Sequence, residues 1–182
     1  MSRIRRRADL AALLALVVLT APSVAHAYER QWHVGLGLGY AYVSGTNAGH
    51  GFGGDAYVSY GVSDTINLML DLGLTAHPGS DRLVGDASAG AVYVFDVFQL
   101  IWYGGALVGA YDRLGLAGCG GAHEPGCHEG HLGFSVPIGL DYLLTRNVNI
   151  GLQGRYHLLV LGSDAPVHYV TALGRVEYAW GY

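Results

Sequence analysis

The chain has 182 residues, 51% of them apolar, with 29 glycines, five prolines, ten arginines, no lysine and a formal net charge of −4. The high apolar content excludes a disordered chain, and the lack of a strict Gly-x-y period excludes collagen. Scattered arginines in an acidic chain exclude nucleic acid as a partner, because binding it requires clustered basic side chains.

The first residues read as an address. Arg3, Arg5, Arg6 and Arg7 form a basic start, and residues 10–19 form an apolar stretch too short to span a bilayer. Pro22 and Ser23 break that stretch, and Ala25-His26-Ala27 has the A-x-A form of a cleavage site. The expected division is therefore a signal peptide over 1–27 and one domain over 28–182, beginning at Tyr28. The mature chain would keep six arginines against thirteen acids, a net charge of −7.

Eight segments then alternate with a period of two, which places successive side chains on opposite faces of a strand. In the first, Trp32, Val34, Leu36, Leu38, Tyr40 and Tyr42 oppose His33, Gly35, Gly37, Gly39 and Ala41. The second runs over about 55–62, with Ala56, Val58, Tyr60 and Val62 on its apolar side, and Ser63-Asp64 turns the chain. The third sets Ile66, Leu68, Leu70, Leu72 and Leu74 against Asn67, Met69, Asp71, Gly73 and Thr75. The fourth, about 85–95, sets Ala89, Ala91, Tyr93 and Phe95 against Asp86, Ser88 and Gly90, with a turn expected near Asp96.

The fifth, about 100–111, leaves its facing open: either Ile101, Tyr103, Leu107 and Tyr111 point outward or the opposite set does. The sixth sets Leu132, Phe134, Val136, Ile138, Leu140 and Tyr142 against Gly133, Ser135, Pro137, Gly139 and Asp141. The seventh sets Val148, Ile150, Leu152 and Tyr156 against Asn149, Gly151, Gln153, Arg155 and His157. In the last, Val170, Ala172, Gly174, Val176, Tyr178, Trp180 and Tyr182 share one face, with Thr171, Arg175, Glu177 and Gly181 on the other. A helical span over 90–110 competes with the fourth and fifth strands. It would bury Asp96 at a cost of about 2.5–3.5 kcal/mol and is rich in poor helix formers.

Short connections follow the second, fourth and sixth strands. Longer ones are expected over about 44–54, 76–84, 112–131 and 159–167. Aromatics outward, charges inward, and loops that alternate short and long are the pattern of a membrane-spanning barrel. With the signal, the Tyr60-Gly-Val-Ser-Asp64 turn and the aromatic terminal strand, the chain resembles the small eight-stranded outer-membrane barrels of Gram-negative bacteria. That family includes the OmpA transmembrane domain and OmpX. The resemblance implies an all-β, eight-stranded, antiparallel, up-and-down transmembrane β-barrel in the cell outer membrane. It also implies that Tyr178, Trp180 and Tyr182 form the signal read by the barrel-insertion machinery, Tyr182 standing where the family usually ends in Phe. The expected partners are that machinery and outer-membrane lipid, with an extracellular ligand of unspecified chemistry; the barrel is expected to be a monomer.

Eight strands leave an interior that side chains just fill. The larger inward residues are Asp71, Asp86, Asp141, Arg155, Arg175 and Glu177, and enclosed charges must pair or be hydrated. The expectation is one cluster in which Asp141, Glu177 and Asp71 neutralise Arg155 and Arg175, acting as a structural plug. A gate is the alternative. Cys119 and Cys127, the only cysteines, lie eight apart in an oxidising compartment, so a disulfide is expected. His123, His128 and His131 nearby raise a metal reading, but the spacing matches no zinc pattern. His50, His77 and His168 are expected at a solvated outer rim.

Ser44, Ser80 and Ser163 lack a G-x-S-x-G elbow, and the Gly35–Gly39 run lacks the helix of a dinucleotide site. No enzyme activity, cofactor or metal is expected. The role expected is structural or surface-interacting, with loops displayed outside; the alternative is a narrow pore for ions or small solutes gated by the inward cluster.

Overall fold

The computed structural model describes residues 29–44, 48–80, 82–115, 128–161 and 167–181. Eight strands follow one another: β1 (Trp32–Val43), β2 (Gly49–Gly61), β3 (Ile66–His77), β4 (Arg82–Val97), β5 (Leu100–Gly115), β6 (His128–Leu143), β7 (Val148–Leu161) and β8 (Val167–Trp180). Each pairs antiparallel with its sequence neighbours, and β8 pairs with β1, so the sheet closes into a barrel. One 3-10 turn, Pro78–Ser80, caps the β3–β4 connection.

The register fixes the geometry of closure. A path of cross-strand partners from Ile66 passes through Tyr93, Gly104, Ile138, Gly154, Ala172, Tyr40 and Phe52. It returns to β3 at Ala76, ten residues along the strand on which it began. Such a stagger requires the strands to tilt, at about 35–45° to the barrel axis.

The two faces follow the sequence alternation. In β8 buried and exposed residues alternate without a break, and β1 and β3 follow the same rule over most of their length. The outward wall is Leu, Val, Ile and aromatic side chains, and the inward face holds nearly all the buried polar groups. A wall that closes on itself has no open sheet edge, as a span through hydrocarbon requires.

The β5 facing is settled: Ile101, Tyr103, Leu107 and Tyr111 are buried inside, while Trp102 and Val108 are exposed outside. The 90–110 stretch is the β4–β5 hairpin, so the helical alternative is replaced. Among the described residues no helix is long and apolar enough to cross a membrane.

Several strand boundaries differ from the sequence reading, because the strands run further toward the long loops than expected. β2 begins at Gly49, not near Asp55. Its glycines read as loop, but Gly51, Gly53 and Gly54 sit where a side chain would strike a neighbour: a Cβ on Gly51 would meet the backbone and ring at Ala76 and His77. The long connections shrink accordingly, to 44–48, 78–81, 116–127 and 162–166. The turn expected near Asp96 is centred on Phe98, which has φ of +62°; Asp96 still pairs with Ile101 inside the ladder.

Pro137, inward on β6, has a cost. It lacks an N–H, and the β5–β6 pairing lapses between Gly104↔Ile138 and Leu107↔Ser135.

Candidate functional site

The barrel interior holds the charged side chains, and β-alternation alone puts them there. They form two networks, not the single cluster expected. In the first, Arg155 on β7 makes a two-pronged ion pair with Asp71 on β3, one prong at 2.7 Å. Its Nη2 also lies 3.4 Å from Asp55 Oδ2 on β2. Asp71 is fully buried and Arg155 nearly so. Among the described residues, Arg155 is the only hydrogen-bond partner of Asp71.

Asp86 on β4 occupies the same layer. Gly73 separates it from Asp55 in the pairing row, and a Cβ on Gly73 would strike the Asp86 carboxylate. The empty glycine position is thus filled by the acid. Asp86 Oδ2 has no hydrogen-bond partner among the described residues.

The second network lies nearer the short turns. Arg175 on β8 ion-pairs with Glu177 at 3.2 Å and with Asp141 at 3.7 Å. Its guanidinium carbon sits 4.1 Å from the centre of the Tyr57 ring and 4.6 Å from that of Tyr103. It donates to the hydroxyls of both tyrosines and, at 2.7 Å, to Gln153 Oε1. Cation–π contacts of this kind strengthen when desolvated.

Two glycines make the clamp. Gly35 pairs with Tyr57 and Gly139 with Tyr103, and a Cβ at either glycine would enter the facing phenol ring. Each tyrosine therefore lies flat over a neighbouring strand and reaches the axis.

Glu177 is the best-satisfied acid. Its carboxylate bonds His33 Nδ1 at 2.9 Å and accepts from Asn149 Nδ2 at 2.8 Å, Tyr57 OH at 2.8 Å and Arg175 Nη2 at 3.2 Å. Gln153 joins the two networks: its Oε1 accepts from Arg175 and Tyr103, and its Nε2 donates to Asp55 at 3.2 Å.

Apolar layers enclose these charges. Ala41, Val43, Val84, Tyr111, Leu159, Val167 and Tyr169 pack across the lumen at the long-loop end. Tyr57, Met69, Val92, Val94, Ile101, Tyr103 and Leu107 fill the other end on the β2–β5 side. Two tyrosines of the first layer carry polar bonds: Tyr111 bonds His157 at 3.1 Å, and Tyr169 bonds Thr75 at 2.9 Å. A cavity of about 20 Å³ beside His33, Asn67 and Arg175 has room for one water.

Asp55, Tyr57, Tyr103, Gln153 and His33 were missed as members of the network. The signal existed for Tyr57: odd parity on β2 opposite a glycine on β1. Nothing local marked Asp55, which stood at the supposed start of its strand. His77, expected at a solvated rim, is buried beside Tyr169, and His131 is buried inside. His50 and His168 are exposed, as expected.

Tyr178 and Trp180 face outward and stack with centroids 6.0 Å apart. Tyr182, Cys119, Cys127, His123 and the segment 1–27 lie outside the described residues. Among the described residues no three His, Cys, Asp or Glu side chains are disposed to hold a metal ion.

Comparison with known proteins agrees with this geometry. A family model described as the outer membrane protein beta-barrel domain matches residues 11–169. A search of curated proteins gives no match. Among solved structures, Neisserial surface protein A is similar with a TM-score of 0.70 and 19% identity, covering 81% of this chain and 96% of its own. The N-terminal barrel domain of Pseudomonas aeruginosa OprF has a TM-score of 0.56 and 16% identity, covering 84% and 98%. Ail, the attachment invasion locus protein of Yersinia pestis, has a TM-score of 0.53 and 17% identity, covering 84% and 99%. At these identities the likeness is one of fold.

Proposed function

Because the chain belongs to the family of outer membrane protein β-barrel domains, we propose that it is a closed, non-conducting barrel whose role is structural and surface-interacting. The observation that carries this reading is the filled lumen. Arg155 and Arg175 are each locked by buried acids, and an apolar layer lies between them and the long-loop end. A water path would have to break a desolvated ion pair, which costs about 3–5 kcal/mol when one partner is lost.

With the lumen blocked, contact with the outside falls to the wall above the membrane and to the connections at 44–48, 78–81, 116–127 and 162–166. The names of two similar structures, a surface protein and an attachment invasion locus protein, point the same way. The barrel acts as a monomer inserted by the barrel-insertion machinery through its terminal strand. The cleavable signal over 1–27 and a Cys119–Cys127 disulfide belong to the same reading, and no catalytic group is assigned.

The alternative is a narrow pore. One observation favours it: five inward carboxylates (Asp55, Asp71, Asp86, Asp141 and Glu177) outnumber the three buried arginines (Arg113, Arg155 and Arg175), so an open lumen would prefer cations. Planar-bilayer recording separates the two. The refolded barrel should insert and stay silent. Discrete steps that vanish or change when Arg155 and Arg175 are both replaced by Ala would put the gated pore in its place.

A further inference from the structure

The outward wall is almost free of ionisable groups. Among the strand positions whose side chains are described, tyrosines aside, only His50, Asp112 and His168 carry one on the outward face. The two imidazoles lie in one quadrant, on β2 and β8, with β1 between them.

Each is held the same way. Tyr40 OH bonds His50 Nδ1 and Tyr156 OH bonds His168 Nδ1, both at 2.5 Å. The His168 backbone is further tied to Ser44, which bonds its N–H at 3.2 Å and its carbonyl at 3.0 Å. The tyrosines engage Nδ1 and leave Nε2 of each ring as the outward polar atom. Both pairs also sit at one depth: Tyr40 is eight residues beyond Trp32, and Tyr156 eight beyond Val148, each counted from the start of its strand. That depth is the level of the outer aromatic belt, although on β7 the apolar wall runs on past Tyr156 to Val160.

Directly below lies a trough. Gly154, Ala172 and Tyr40 form one pairing row, and Leu152, Gly174 and Leu38 the next. Leu38 and Leu152 are 75% and 71% exposed, the ridges on either side of the bare Gly174. A Cβ added at Gly154 would meet nothing within 4 Å. Polar atoms at headgroup depth above an apolar trough match the shape of a lipid: a polar head with an acyl chain beneath it.

We propose that the Tyr40–His50 and Tyr156–His168 pairs form an interfacial site for the phosphate headgroup of an outer-leaflet lipid, with an acyl chain lying over Gly154, Ala172 and Gly174. The two rings stand on strands two spacings apart, roughly 10 Å, with Tyr42 on the strand between them and its ring 5.3 Å from that of His50, so the head would rest over Tyr42 and be reached by an imidazole from either side. Phosphate is the chemistry that fits, because its oxygens accept from Nε2–H and a charge-assisted bond is the stronger kind. The site rests on the membrane-spanning reading but on no assumption about the lumen.

The test uses the refolded full barrel in a phosphate-free maltoside detergent, titrated with short-chain phosphatidic acid and followed by NMR at the imidazole C–H groups. The His50 and His168 signals should shift saturably, together with the amides of Gly154, Ala172 and Gly174. The diacylglycerol with the same chains should move only the trough amides, and inorganic phosphate should move neither set. A His50→Phe/His168→Phe variant, which keeps the outward wall apolar and should retain its heat-modifiable gel shift, should bind phosphatidic acid roughly tenfold more weakly, the effect of about 1.4 kcal/mol. Imidazole signals that stay fixed, that follow diacylglycerol equally, or that follow free phosphate equally would each overturn the site. A barrel that fails to fold in detergent at all would instead overturn the membrane-spanning reading.

Discussion

Replacing Arg155 by Met tests the electrostatic account of the lumen most sharply. The methionine keeps much of the stem volume and removes the guanidinium. Asp71 then loses its only hydrogen-bond partner among the described residues while remaining fully buried, and Asp55 keeps only Gln153. Breaking a buried pair by removing one partner costs about 3–5 kcal/mol, because the other charge is left uncompensated. With a urea slope of about 2 kcal/mol/M, the unfolding midpoint of the vesicle-inserted barrel should fall by roughly 2 M, read by tryptophan fluorescence and gel mobility. Asp71→Asn alone should cost less, because Arg155 retains Asp55. The double replacement should recover a large part of the loss, giving a coupling of about 2–3 kcal/mol. A single Arg155→Met loss below about 1 kcal/mol, or costs that simply add, would refute the claim that these charges are desolvated and mutually dependent.

Other outcomes follow from single positions. Gly139→Ala should expel the Tyr103 ring from its seat and cost about 1–3 kcal/mol by overpacking, seen as a lower urea midpoint, whereas Gly154→Ala should be close to neutral. Phe98 is 97% exposed with φ of +62°, so Phe98→Gly should relieve left-handed strain and raise stability by about 0.5–1 kcal/mol, read on the same midpoint. Cys119 and Cys127 should resist a thiol reagent until a reductant is added; labelling of both without reduction would remove the disulfide.

What could be read from the sequence depended on contrast between the faces. β3 and β6 were legible because leucines and other large apolar residues alternate with Asn, Asp, Gly and Ser. β5 was not, because its inward face is apolar too: Ile101, Tyr103 and Leu107 pack into the lumen beside Met69 and Val92. An interior that is partly greasy erases the period-two signal on the strand that lines it. β2 was cut short because its early glycines look like turn residues, although Gly51 and Gly53 answer a packing demand from β3 and Gly54 one from β1. The charges themselves were legible by parity. Their division into two networks was not, since it depends on which strands stand opposite across the lumen, and local pattern carries no information about that.

The proline on β6 has a consequence for how the wall moves. A closed barrel has no free edge, so its amides should exchange with solvent slowly and together. Where the ladder lapses beside Pro137, residues 105, 106, 136 and 137 form a short internal edge. Opening begins where backbone bonds are already missing, so the amides flanking this gap should be the first in the spanning region to exchange. Pro137 pairs on its other side with Arg155. The seam at which the wall can part thus stands next to the strand position that anchors the mid-lumen ion pair.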